Sequence, residues 1–510
     1  MLSVLIWLPV IGALVIAFLP QNKVKNGAAI VATAILILDC ILLKQFDISI
    51  STFQFAENLP WIDSLGLTYT LGVDGLSLPL VALNGLLTWL IVCFCDRQIQ
   101  ERKPLFYALM LLIHAGVSGA ILSTNTLLFV LFYELELIPL YLVIAAWGGA
   151  QRSYAAMKFL IFTAISGILI LVGFLALGWL AGSPTPVFDY TTLQSLTLPI
   201  EVQVTLLVIL LLGFTIKAPF VPFHTWLPDA YVESTTPTVI MLGGMVAKLG
   251  TYGLFRFCVG FFPDAWALIS PWVAFWAALG ILYGTVVAIA QKDIKRMVAY
   301  SSIGSMSYIL LAAAAATPLS MVGGIIQMVS HGLILSLLFY LVGVIEEKVG
   351  TRDLDVLNGL LNPLRGLPST SALLILGGMA SAGIPGLVGF ISEFLIFQGS
   401  FSKFPIPTIL SIIGTGLTAV YFVILLNRTC FGKLDNNTAY YPKVSGIEQL
   451  PALILTALIL IFGIQPSWLV RWSEVSAVQL LARVPDVTLI AKQDTNSSTY
   501  EKVFLAFRKN

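Results

Sequence analysis

Residues 202–222 read VQVTLLVILLLGFTIKAPFVP, and the fold turns on them. The run opens as a bilayer helix, apolar on every face. It then meets Lys217 and Pro219, with Pro222 and Pro228 close behind. Proline lacks the N–H that would close a helical turn, and its ring crowds the carbonyl four residues back. A charge at membrane depth costs roughly 2.5–3.5 kcal/mol on insertion scales, so it defaults to a functional reading. A second interruption, Gly383-Ile384-Pro385-Gly386, leads to Glu393. Unwound helices at matching positions of two halves are the sequence mark of an ion site in a transporter.

Composition points the same way. The 510 residues are 58% hydrophobic and 10% charged, with a mean hydropathy of +0.94, against roughly 25% charged in a soluble domain. Disorder, nucleic-acid binding and a secreted disulfide scaffold are excluded, and a net charge of +1 implies no electrostatic partner. Cys40, Cys93, Cys95, Cys258 and Cys430 lie in or beside apolar runs, where thiols act as small hydrophobes. Cys93 and Cys95 have no second ligand pair, so no metal site is expected.

Apolar runs of about 20 residues, the length of a membrane helix, recur fourteen times before residue 471. The fold class expected is an all-α polytopic membrane protein. The first run lacks a basic leader and an A-x-A site and reads as a retained helix. The two breaks fall in the seventh and twelfth spans. This spacing divides the chain into 1–104, three helices with an outer loop; 105–260, a first five-helix repeat of spans four to eight; 261–430, a second of spans nine to thirteen; and 431–510, a last helix and amphipathic tail. An odd number of helices per repeat makes the two inverted.

Sidedness follows from the cations. Lys23, Lys25, Arg97, Arg102, Lys103, Arg152, Lys158, Lys292, Lys295, Arg296, Lys348, Arg352, Arg365, Arg428, Lys433 and Lys443 share one side; the other holds only Lys44, Arg256 and Lys403 before the tail. Loops 97–104, 148–154 and 348–368 are therefore inside and 46–74 outside. The segment 46–76 reads as a lid, with Asp74-Gly75 a turn into the third span. Trp472–Ile490 reads as an interfacial helix.

The buried ionisable groups are few. Glu134 and Glu136 are two apart, hence about 200° apart on a helix, and cannot share a cavity. Glu134 is expected to pair with Lys217, and Glu136 to face a neighbouring helix or subunit. A buried lysine is a switch, since desolvation lowers its pKa and a nearby carboxylate raises it. That applies to Lys217 and Lys248. His331, near Gln327, suits a proton relay. His114 reads as a core residue, His224 beside Trp226 as a hydrogen-bonding anchor, and Asp39 as close enough to a membrane face to reach water.

Four strings carry a family resemblance: YELELIPLYLV at 133–143, GFTIKAPFVPFHTWLPDA at 213–230, QKDIKRMVAYSSIG at 291–304 and GIPGLVGFISEFLIF at 383–397. Together they closely resemble the antiporter-like subunits of respiratory complex I and its photosynthetic relative, chain-4 type. E-L-E-L-I-P is similar to the cyanobacterial and plastid form. The resemblance implies proton transfer by Glu134, Lys217, Lys248, His331 and Glu393, with Glu136, His224, Ser305 and Gln327 as supporting positions. It implies no redox cofactor in this chain, and plastoquinone and iron–sulfur clusters handled by other subunits. It implies membrane-arm partners, including a chain-5 type neighbour, with lipids around them and no nucleic acid, in a thylakoid membrane.

The sequence departs from the family pattern in places. Tyr133 stands for a usual Trp, Tyr231 for His, Glu233-Ser234-Thr235-Thr236-Pro237 for E-A-P-T-P, and Ser305 for a frequent His. These departures suit a divergent paralogue. Respiration with cyclic electron flow and carbon dioxide uptake both fit, the departures favouring the second. A subunit of a multisubunit cation/proton antiporter, which shares the lysines, is the alternative.

Overall fold

The computed structural model describes residues 1–95, 99, 101–182, 185–432 and 441–484. Arg97, Lys433 and the tail after residue 484 lie outside the described residues. Eleven described helices are long and apolar enough to cross a membrane, and three shorter apolar helices, Leu2–Ala17, Leu78–Phe94 and Val388–Phe401, stand with them. In chain order the spans begin with Leu2–Ala17, Gln21–Gln45 and Leu78–Phe94. Spans four to eight are Lys103–Leu122, Thr126–Trp147, Arg152–Ala181, Ile200–Lys217 and Thr236–Val259. Spans nine to eleven are Pro263–Ile289, Ile294–Ala315 and Pro318–Val349. The twelfth is Pro368–Ser381 resumed as Val388–Phe401; Pro405–Thr429 and Gly446–Ile464 complete the series.

Packing partners correspond between the two sets of five. The fourth span packs on the fifth as the ninth packs on the tenth. The sixth packs on the seventh as the eleventh packs on the twelfth. The eighth and eleventh spans are wholly buried in their most apolar windows. They form the axis of the molecule, whereas the second and last spans keep most of their surface outward.

Two elements depart from the sequence expectation. The outer loop is a β-hairpin, Gln54–Ile62 paired antiparallel with Leu67–Val73, not an irregular lid. Gly66 turns it in the left-handed region (φ +64°), with a cradle so tight that any Cβ would strike the Pro186 carbonyl. The tail's helix, Ser467–Leu481, packs its buried face on the eleventh span rather than lying free at the interface.

Two polar cavities gather the connecting segments into two separate groups. One, of about 60 Å³, is lined by Ser51, Thr52, Asp74, Thr191, Arg256 and Gln479 among others. Every one of these belongs to a segment expected outside. The other, of about 340 Å³, gathers Gly149, Glu233, Lys295, Glu346, Glu347 and Arg352 from inside segments.

Candidate functional site

The seventh helix stops at Lys217 and resumes at Trp226–Glu233 after an unwound stretch and a 3-10 turn, Phe223–Thr225. Non-helical backbone at membrane depth must be satisfied by protein. Here two indoles do it: Trp226 Nε1 donates to the Ile216 carbonyl at 2.9 Å and Trp276 Nε1 to that of Val221 at 2.5 Å. The break leaves Lys217 at a helix end, aimed into the bundle.

Its partner is Glu136. Lys217 Nζ lies 2.5 Å from Glu136 Oε1, with side-chain exposures of 1% and 0%. The Tyr133 ring, 4.8 Å away, covers the ammonium. The expected pairing with Glu134 is therefore corrected, as is the outward placement of Glu136. The two carboxylates do diverge, as their spacing implies, but spacing does not say which of them faces the lysine. The fifth span is two helices, Thr126–Leu135 and Leu137–Trp147, hinged at Glu136. Pro139 cannot donate to the Leu135 carbonyl, and the axis bends there. Glu134 is half-buried, its carboxylate laid over Gly167 of the sixth span, where any Cβ would collide with it.

Lys248 occupies the middle of the eighth span, fully buried, its Nζ donating to the Gly243 carbonyl. The backbone around it is irregular: π-helical turns at Leu242–Val246 and Leu254–Val259 flank a single stretch of α-helix. Such π-turns concentrate at functional positions. Gly250 presses on the unwound Ala218 beside Lys217; a Cβ there would sit 2.6 Å from Ala218 N. On the other side Gly244 meets Gly332, where a Cβ on the latter would sit 2.8 Å from the Gly244 carbonyl. These close approaches bring the span of Lys248 against both the first break and the helix of His331.

His331 is buried within electrostatic reach of Lys248, and neither ring nitrogen has a hydrogen-bond partner among the described residues. One turn earlier on the same helix, the Gln327 oxygen accepts from Ser392 Oγ at 2.5 Å and from Ser330 Oγ at 3.2 Å, while its Nε2 donates to the Ser305 carbonyl at 3.5 Å. Ser392 precedes Glu393, which is buried over the second break against Gly383 (φ +69°). Glu393 Oε2 accepts from Thr415 Oγ1 at 3.1 Å, and Thr415 is 2.7 Å from the Tyr308 hydroxyl. Ser305 joins this group through its backbone carbonyl.

The remaining histidines are held elsewhere. His224 Nε2 is 3.0 Å from the Tyr283 hydroxyl at the first break. His114 sits between Thr88 at 2.9 Å and Ser118 at 3.3 Å, a satisfied core residue. Asp39 corrects the sequence reading: it is 2% exposed, and its carboxylate has no hydrogen-bond partner among the described residues. Arg256, expected in an outer loop, is buried and paired with Asp74 at 2.7 Å. Sequence reasoning missed that pair; the signal was an arginine within helical register of Lys248.

Two broken helices carrying buried charge, bridged by a lysine on a wholly buried span, define an antiporter-like membrane subunit. The family described as NADH:quinone oxidoreductase/Mrp antiporter, transmembrane, matches residues 123–418. NAD(P)H-quinone oxidoreductase chain 4 3 of Trichormus variabilis is 34% identical, over 99% of this chain and 96% of the relative. Among solved structures, a chain of respiratory complex I from Thermus thermophilus superposes with a TM-score of 0.87 at 26% identity, covering 95% of this chain and 100% of that one. A chain of the Mrp complex from Dietzia sp. shares the fold at 20% identity, with a TM-score of 0.85 over 96% of this chain and 98% of that one. The chain belongs to the NADH:quinone oxidoreductase/Mrp antiporter transmembrane family.

Proposed function

We propose that this chain is a proton-translocating membrane-arm subunit of a photosynthetic complex I-like plastoquinone oxidoreductase. The observation that carries the proposal is the row of buried polar groups joining the two helix breaks: Glu136, Lys217, Lys248, His331, Gln327 and Glu393. The ammonium of Lys217 is stabilised while Glu136 is close and charged. When their contact loosens, the carboxylate no longer holds the ammonium, and the proton passes toward Lys248. Lys248 is the central carrier and His331 the hand-over across the glycine contact. Glu393 is the terminal site, and water links groups that do not touch. The inner cavity, ending at Thr236 where the eighth span begins, is the intake.

Electron transfer belongs to other subunits, which hold the iron–sulfur clusters and the plastoquinone site; the name of the Trichormus relative supports this reading. The chain is then part of an enzyme complex, in a thylakoid membrane, with a chain-5 type subunit as neighbour and lipid around it. Both the respiratory and the carbon dioxide uptake versions accommodate this relay. The second reading, a subunit of a cation/proton antiporter, has in its favour the fold shared with the Mrp complex.

Co-purification separates the two readings: iron–sulfur subunits in the isolated complex support the first, and their absence beside small membrane subunits the second. The relay is tested by proton uptake in vesicles holding the whole complex, measured with quinone reduction. Lys248→Ala removes the carrier, and Lys248→Arg keeps charge but cannot readily deprotonate. Both are expected to lower protons pumped per electron. Unchanged pumping with verified assembly makes this chain a scaffold.

A further inference from the structure

Lys248, Tyr252 and Arg256 follow one another at four-residue spacing along the eighth span, and the Arg256 Nε donates to the Tyr252 hydroxyl at 3.2 Å. This face runs from the central carrier to the outer cavity. The cavity's rim is exposed and polar, at Ser51, Thr52, Thr191 and Gln479. Its floor is Arg256 held by Asp74 in a two-pronged pair, both N–H···O distances 2.7 Å. The rings of Phe53, Tyr190 and Tyr252 lie 5.1–5.3 Å from the guanidinium. Beneath it, Phe129 stacks on Tyr252 and Phe257 packs edge-on, giving an aromatic collar. The Tyr252 hydroxyl proton is committed to the Ile121 carbonyl at 2.9 Å.

An outer-facing polar cavity at the end of a proton carrier's own helix is a short circuit unless something closes it. A guanidinium does so well: it stays charged, cannot hand on its proton, and repels a second one. Asp74 fixes its geometry, and the rings pack against the guanidinium.

We propose that Asp74 and Arg256 form an outer seal, a buried ion pair whose guanidinium cannot relay a proton and so keeps outer protons from reaching Lys248. The seal rests on the relay reading. It makes the route through Lys248 one-sided, open toward the inner cavity and closed toward the outer one.

The test is passive proton leak in vesicles that hold the whole complex, without electron donor, under an acid-outside gradient read with a pH dye. Arg256→His keeps a cation facing Asp74 but one that can release its proton. The double variant Asp74→Asn/Arg256→Gln removes both charges, so neither is left unpaired. Each is expected to speed leak several-fold, and either alone decides the matter. Adding Lys248→Ala to Arg256→His is expected to abolish the extra leak. Parental leak in assembled Arg256→His overturns the seal. Extra leak that survives Lys248→Ala overturns its placement before that lysine. Failure of the relay is read separately, as unchanged pumping per electron in Lys248→Ala alone.

Discussion

Glu136 and Lys217 are both buried, so each charge depends on the other. Removing one member of a buried pair costs about 3–5 kcal/mol, mostly because the survivor's charge is stranded. Glu136→Ala is therefore expected to lower the thermal stability of the purified complex by that order. Glu134→Ala, at a half-exposed carboxylate, is expected to cost under about 1 kcal/mol. The same ranking is expected for pumping per electron with Gln at each position, since an amide at 136 cannot hold Lys217 as a cation. Asp74 behaves differently toward acid. Burial by itself pushes its carboxyl up, but Arg256 and the Ser77 contacts outweigh that and hold it below the ordinary carboxylate range. A depressed carboxyl contributes stability above its unfolded value and loses it only as pH falls through the folded one. Protease protection of the 54–73 hairpin is thus expected to stay constant as outer pH drops to about 4. Asp74→Asn is expected to lose that protection at every pH, because Arg256 is then buried unpaired.

The eighth span depends on glycines where two helices must touch. A side chain at Gly332 meets the Gly244 carbonyl, so Gly332→Val is expected to push the spans apart at a cost of about 1–3 kcal/mol. Pumping per electron should fall while quinone reduction continues. Gly377→Ala, which meets only the ends of Leu337 and Leu338, serves as the tolerated control. Hydropathy made the spans legible, and Pro219 and Pro385 with their charged neighbours made the two breaks legible. The chemistry of Lys217, Lys248 and Glu393 was readable because charge at membrane depth is rare. The partner of Lys217 was not, because a two-residue rotation separates Glu134 from Glu136 without saying which of them faces the bundle. Arg256 was counted with the outer cations because it lies in the last turn of the eighth span, where a long charged side chain ordinarily reaches water, and nothing in the sequence points to Asp74 as its partner. The hairpin was missed because its strand 54–62 carries Pro60 and polar residues facing outward, with little alternation to read.

At the scale of the whole molecule, inside and outside are set by loops that converge on two cavities. Gln151→Cys is expected to react with a membrane-impermeant thiol reagent only from the inner face, and Ser64→Cys only from the outer face, in intact vesicles. Labelling of either from the opposite face would invert the topology. One contact links the molecule's two ends: the Gly75 N–H donates to Ser476 Oγ at 2.8 Å, across 401 residues of chain. Ser476 also lines the outer cavity, so the last described helix finishes a wall begun by the hairpin. At about 5–20 residues per second, ribosomal synthesis separates the two partners by roughly 20–80 s. Only in the last moments of that interval, once Gly446–Ile464 has been made, does every membrane helix exist while the outer wall still stands open. A chain ended by a premature stop before Ser467 would thus carry its full set of spans and still present Arg256 to water, a faulty product that quality-control proteases have to recognise from its outer end alone.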